Sequence, residues 1–186
     1  MHELIKASFT NANVGFLTKC CSFIRQSRLQ MQQLNFPQYS FRLGQHLGHT
    51  TIFDPQRKRF VALTPEEWVR QHLIRYLIDE KNVPPTLLAS ERGLKINGMH
   101  KRFDLLAFST DGKPLLIVEC KAPEVKLSEE TFHQAVRYNL VLKAHYLLIS
   151  NGLDHHMARV DYLTSQLQFL QTIPDFREMN LNAITK

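Results

Sequence analysis

Short apolar runs separated by turn residues predict strands along most of the chain after residue 49. Residues 50–53 and 59–63 flank a polar turn at 54–58, which favours an antiparallel hairpin. Later runs predict strands at 87–96, with a possible bulge at Gly93, and at 102–108, 115–121 and 145–150. Alternating residues at 157–162 and 166–170 predict a second hairpin near the C-terminus.

Two segments instead carry the three- to four-residue spacing of an amphipathic helix. The first begins at Thr64, a suitable N-cap, followed by Pro65 at the first helical position and by Glu67, which completes a capping box. Its apolar residues continue to about Lys81. The second helix begins at Ser128 and runs to about Lys143.

The order of these elements between residues 64 and 150 is helix, three strands, helix, strand. Because a helical crossover normally joins parallel strands, the strands at 115–121 and 145–150 are expected to be parallel neighbours or near neighbours. The predicted fold class is therefore α/β, a mixed central sheet flanked by helices, with an N-terminal and a C-terminal hairpin.

Composition fits one soluble globular domain, since 44% of the 186 residues are hydrophobic and 22% are charged. Residues 1–30 lack a clear period and are interpreted as an N-terminal extension; residues 31–186 are expected to form one domain with its core at 64–150. The net charge of +6 originates in residues 1–63, which carry eight Lys or Arg and two Asp or Glu. A basic arm that follows phosphates and a solvated tail explain this charge equally well.

No apolar run approaches the roughly 20 residues of a membrane helix, and Lys19 interrupts the best candidate signal peptide. The three cysteines have no disulfide or zinc-site spacing. A cytoplasmic protein is therefore expected.

Charged residues lie close together on two of the predicted strands. Glu119 and Lys121 fall on one face of their strand because side chains alternate, and the preceding hairpin partner carries Asp104. Two carboxylates of this kind are oxygen ligands suited to Mg²⁺ or Mn²⁺, and the backbone carbonyl of Cys120 is a further candidate ligand. Lys121 is positioned to orient a water or stabilise negative charge.

The two helices supply further candidates. Glu66 shares the apolar phase of the first helix and is assigned to the site, whereas Glu67 is assigned to the cap. Gln134 and Tyr138, four residues apart, share one face of the second helix and can reach the site edge together.

Asp104, Glu119-x-Lys121 and Gln134-x-x-x-Tyr138, with Glu66 upstream, resemble the PD-(D/E)xK nuclease superfamily. Residues 63–71, 113–123, 134–139 and 148–152 more closely resemble the N-terminal nuclease domain of type I restriction enzyme R subunits. The resemblance covers about residues 31–176. It implies a Mg²⁺-dependent DNA endonuclease with metal ligands Asp104 and Glu119 and the catalytic lysine Lys121. Glu66 would be an accessory acid, with Gln134 and Tyr138 in support.

The sequence departs from the pattern in two ways. Phe103 stands before Asp104 where the superfamily name has proline, and no ATP-binding loop or helicase motor follows. A motor or specificity subunit is therefore expected to act in trans, and the alternative is a catalytically weak or inactive module that binds DNA or assembles with partners.

Simpler interpretations remain for individual residues. Asp104 and Lys121 also fit an ion pair between strands. Gln134 also fits a backbone hydrogen bond and Tyr138 also fits packing. Arg70 is interpreted as a helix-surface charge that pairs with acidic neighbours.

Overall fold

The computed structural model describes residues 31–90, 93–96, 99–164 and 166–184. The described residues from Gln33 onward belong to one compact unit. The sequence also predicts a turn at Asn97 and Gly98. This turn and the predicted extension at 1–30 lie outside the described residues. Within the described residues, no helix is both long enough and apolar enough to cross a membrane.

The described residues form eleven strands, three α-helices and a 3₁₀ turn at Pro85–Leu87. In chain order, the elements are β1 (Leu43–His46), β2 (His49–Asp54), β3 (Arg59–Ala62), α1 (Pro65–Asp79), β4 (Leu88–Ser90), β5 (Gly93–Ile96), β6 (Met99–Arg102), β7 (Leu105–Phe108), β8 (Pro114–Cys120), α2 (Glu129–Leu142), β9 (Tyr146–Ser150), β10 (His155–Asp161), β11 (Gln166–Leu170) and α3 (Phe176–Ile184).

A six-stranded mixed sheet forms the centre of the fold, in the order β11-β10-β9-β8-β7-β4. Strands β8 and β9 are parallel, with Ile117 opposite Leu147, and the other pairs in this sheet are antiparallel. The α/β fold class, the parallel pair, the hairpin β2–β3 and the hairpin β10–β11 are confirmed. Strand β1 adds to the first hairpin and makes a separate three-stranded sheet.

Helices α1 and α2 cover opposite faces of this sheet. Val69, Leu73 and Leu77 of α1 pack in one apolar cluster with alternate residues of β7 and β8, including Leu105 and Val118. The intervening strand residues belong to a second cluster, which includes Leu106, Ile117, Leu147 and Ile149 of the sheet and Phe132 and Ala135 of α2. The period-two alternation of the strands therefore divides the core into two layers.

Local signals in the sequence set the ends of both helices. The hydroxyl oxygen of Thr64 accepts a hydrogen bond from the Glu67 amide at 3.0 Å, which satisfies one of the first-turn donors of α1. Ser128 accepts from the Thr131 amide in the same way at the start of α2. Helix α2 ends at Lys143, which adopts the left-handed conformation with φ of 54°.

Two boundary predictions need correction, and one helix was missed. The segment 87–96 is not one strand, because β4 pairs with β7 in the central sheet whereas β5 pairs with β6 in a separate two-stranded sheet. Asp104 does not lie inside a strand but directly precedes β7. Helix α3 was not predicted at all, although Asp175 provides a cap signal, since its carboxylate accepts from the Glu178 amide at 2.8 Å.

A buried network of charges joins α1 to the first hairpin. The Arg70 guanidinium donates to Asp54, Glu67 and Ser90, so the expected pairing with acidic neighbours is confirmed. Arg70 is only 2% exposed, however, so its expected place on the helix surface is wrong. Arg57 bridges the same two acids, with its nitrogens 2.8 Å from Asp54 and 3.3 Å from Glu67. Buried charges require such partners because burial alone penalises them heavily.

Candidate active site

The first two candidate residues lie side by side at the end of the hairpin β7–β8. Leu105, the first residue of β7, pairs with Val118, and Asp104 and Glu119 are the next residues beyond that pair on the two chains. One carboxylate oxygen of Asp104 also accepts a hydrogen bond from the Cys120 amide at 2.6 Å. This bond fixes the Asp104 carboxylate beside the end of β8.

Lys121 follows the last residue of β8, and its side chain turns back toward Glu119. Its Nζ atom lies 2.8 Å from a carboxylate oxygen of Glu119, and the two side chains are 25% and 24% exposed. Burial lowers the pKa of Lys121, but the hydrogen bond to Glu119 and the negative charges of Glu119, Asp104 and Glu66 outweigh burial and raise it. Lys121 is therefore an ammonium at neutral pH, suited to stabilise anions rather than to accept a proton.

The backbone of β9 holds Lys121 in place. The Lys121 amide donates to the Ser150 carbonyl at 2.9 Å, which extends the parallel ladder one residue beyond β8. The Ser150 hydroxyl lies 2.7 Å from Nδ1 of His155 and accepts from the Gly152 amide at 2.9 Å. Ser150 was not predicted as a positioning residue, because its only local signal is its place at the end of a buried strand.

Glu66 and Glu67 occupy different environments in the first turn of α1. Glu66 is exposed, and its charge acts on Lys121 and on Cys120, so it lies near the other three charged residues. Glu67 is buried, and its carboxylate accepts hydrogen bonds from Arg57, Arg70 and Gln71. In this first turn, Glu66 therefore lies at the edge of the site, whereas Glu67 binds Arg57 of the hairpin β2–β3.

Cys120 lies on the face of the sheet opposite Glu119. It is 1% exposed and belongs to the α1-facing cluster. Burial raises the pKa of its thiol well above the usual value, and the charges of Asp104 and Glu119 raise it further. The thiol is therefore protonated and apolar in behaviour. The predicted role of Cys120 concerns its backbone carbonyl and stays a prediction.

Gln134 and Tyr138 both belong to α2, on the side of the sheet that carries Glu119. Their side chains lie outside the described part of the chain, so their predicted approach to the site stays a prediction. The helix itself is well anchored there, because Phe132 and Ala135 pack against the same sheet face.

The donors that a metal would meet here are oxygens. Asp104 and Glu119 offer two neighbouring carboxylates, and Mg²⁺ is commonly bound through one or two carboxylates plus several waters. Among the side chains that the structure describes, no group of three or more His, Cys, Asp or Glu is arranged to hold a metal ion. The donor set therefore fits a hard, largely hydrated cation and does not fit a closed zinc site.

Two comparisons with known proteins give matches. A structure described as a fragment of a putative HsdR subunit of a type I restriction enzyme from Vibrio vulnificus YJ016 matches with a TM-score of 0.50 and 20% sequence identity. The match covers 66% of this chain and 26% of that chain, so this chain spans about a quarter of the other. At this identity the likeness concerns the fold alone. A search of curated proteins finds no match.

The second comparison is with models of protein families. A model described as the type I restriction enzyme R protein N terminus matches residues 65–174, more than half of the chain. This range begins with α1 and ends before α3, so it includes Glu66, Asp104, Glu119 and Lys121. The chain therefore belongs to the family of type I restriction enzyme R protein N-terminal domains.

Proposed function

We propose that this chain is a Mg²⁺- or Mn²⁺-dependent DNA endonuclease domain of the PD-(D/E)xK type, which hydrolyses phosphodiester bonds. The observation that carries the proposal is the grouping of Asp104, Glu119 and Lys121 at the open end of the hairpin β7–β8, away from its turn. Family membership supports the same activity and supports DNA and other subunits, such as a motor or specificity subunit, as partners. A cytoplasmic location accompanies this proposal.

Each side chain has a task that follows from its surroundings. The hydrogen bond from the Cys120 amide to one oxygen holds the Asp104 carboxylate in one orientation. This bond therefore also fixes the position of the second carboxylate oxygen. Glu119 is partly exposed and is therefore reachable by a hydrated cation. Lys121 carries its positive charge at neutral pH and can stabilise the charge that develops on phosphoryl oxygens.

The cation would supply the remaining chemistry. Bound at Asp104 and Glu119, Mg²⁺ or Mn²⁺ would polarise the phosphodiester and lower the pKa of a water molecule. Glu66 adds negative charge at the edge of the site, and Gln134 and Tyr138 are proposed to support the site from α2.

The test is cleavage of supercoiled and linear DNA by the purified protein with Mg²⁺ or Mn²⁺. We expect Asp104→Asn and Lys121→Met each to lower the rate by about 100-fold or more, the usual cost of removing one preorganised electrostatic group. Asp111→Asn and Lys113→Met are matched controls, because these residues form an exposed ion pair at the opposite end of the same hairpin. Equal rates for Lys121→Met and Lys113→Met would refute the proposed role of the lysine.

One observation favours a second candidate, a DNA-binding or assembly module without catalysis. The Lys121 ammonium already lies 2.8 Å from the Glu119 carboxylate, so it neutralises one of the two candidate metal ligands. This candidate predicts DNA binding in the absence of metal, weakened steeply by salt. Metal-dependent cleavage that disappears in Asp104→Asn would exclude it.

A further inference from the structure

A small pocket opens on the same face of the central sheet as Glu119. Its volume is about 180 Å³, below the roughly 300–1,000 Å³ typical of sites for drug-sized ligands, so it suits a single small ring system. Its walls are mostly apolar or aromatic, with one hydroxyl and one imidazole among them. The lining residues are Leu127, Ser128, Phe132, Ile149, His156 and Phe169.

The pocket begins on the strand next to the candidate active site. Ile149 pairs with Glu119 across β8 and β9, and His156 pairs with Ile149 across β9 and β10. Paired residues present their side chains on the same face, and adjacent strands lie about 4.8 Å apart. The floor of the pocket therefore begins about 5 Å from Glu119, and its far wall at His156 lies about 10 Å away.

Phe169 is the exposed aromatic residue of the pocket. It lies on β11 opposite Ala158 and is 58% exposed, although it is a large apolar side chain. Its ring centroid lies 5.0 Å from that of Phe132 on α2, and the two planes are inclined by 46°. The Phe132 ring is thus fixed by packing against the sheet, whereas the Phe169 ring presents part of its surface to solvent.

We infer that this pocket binds one unstacked nucleobase of the DNA strand whose backbone passes Asp104, Glu119 and Lys121. The inference rests on the proposed function, because it assumes that DNA lies at those three residues. Aromatic side chains bind any base through its π-face, and the His156 imidazole and Ser128 hydroxyl add hydrogen-bonding groups within the same pocket. The occupant would be an unpaired base or a base turned out of the duplex.

The test measures binding of short single-stranded oligonucleotides by fluorescence anisotropy in EDTA, so that no cleavage is required. Phe169→Ala is expected to weaken binding about tenfold, within the range for loss of one base–aromatic stack. Phe169→Leu should have an intermediate effect. Leu163→Ala is the matched control, because Leu163 is 89% exposed in the turn of the same hairpin and lines no part of the pocket. It should bind like the wild type.

A second set of oligonucleotides, each lacking one base, identifies the occupant directly. With the wild type, removal of the base at one position should weaken binding about tenfold, and with Phe169→Ala this sensitivity should vanish. A flat response in both proteins, or wild-type affinity of Phe169→Ala, would overturn the pocket assignment. DNA binding with these responses but without metal-dependent cleavage would support the pocket and refute only the nuclease proposal.

Discussion

Replacement of Arg70 by methionine tests whether the buried charge network holds the first hairpin against α1. The methionine keeps most of the aliphatic volume but removes the guanidinium that donates to Asp54 and Glu67. Asp54 is fully buried and Glu67 is 8% exposed, so their charges lose a partner in the protein interior. Breaking a buried pair by removing one partner costs about 3–5 kcal/mol.

The lower end of that range is expected here. Arg57 remains bound to both acids and still compensates part of their charge. A loss of about 3 kcal/mol would lower the urea midpoint by about 1.5 M, taking about 2 kcal/mol per molar as the denaturant slope. Equilibrium unfolding followed by circular dichroism gives both the midpoint and the slope.

Arg75→Met is the matched control on the same helix. Arg75 forms an exposed ion pair with Asp79 one turn along, and such pairs contribute about 0.3–0.5 kcal/mol. If Arg70→Met and Arg75→Met shift the urea midpoint equally, the network does not stabilise the fold and the reasoning fails. Combining Arg70→Met with Asp54→Asn should restore part of the loss, because the second change removes the uncompensated charge.

Three further predictions concern stability. Burial lowers the pKa of His72, so its contribution to stability should be complete above about pH 6.5 and should be lost as the pH falls below that value. Thermal unfolding measured from pH 7.5 to 5 tests this. A His72→Gln variant with an equally steep pH profile would contradict it. Gly152→Ala should lower the melting temperature more than Gly48→Ala. Both glycines have positive φ, but only at Gly152 would the added Cβ come close to another residue, 2.8 Å from Leu34. Equal decreases in melting temperature would refute this steric explanation. Asn139→Ala should lower the free energy of unfolding in urea by about 2–3 kcal/mol. The buried side-chain amide of Asn139 donates to the Ala144 carbonyl and accepts from the Ala144 amide, and both bonds would be lost. A decrease below about 0.5 kcal/mol would contradict that role.

Local signals explain which parts of the fold could be predicted. The Thr64 cap and the turn between β7 and β8 are encoded within a few neighbouring residues, so α1 and the hairpin were recognised. The boundary at Asp104 was misplaced because Phe103 is apolar and extends the strand-like pattern by hydrophobicity alone. The hydrophobic period of the sequence does not indicate that β7 pairs with β8 only from Leu105 onward.

Long-range contacts account for what the sequence did not reveal. Arg70 looked like a surface charge because its partner Asp54 is sixteen positions away and belongs to a hairpin whose packing on α1 has no sequence signature. The pocket at Phe169 is likewise assembled from α2 and three strands. The proximity of Asp104 to Glu119 could be predicted from the sequence, because the register of a hairpin follows from the position of its turn once the two strands are recognised.

The contact between Lys121 and Glu119 gives the protein a built-in counterion. On the proposed function, a divalent ion that coordinated the same carboxylate oxygen would have to displace this tethered ammonium. The amine would therefore compete with the metal for Glu119, and its displacement would leave it available to the phosphate. Lys121→Met should consequently bind Mn²⁺ more tightly than the wild type in calorimetric titration while cleaving DNA more slowly.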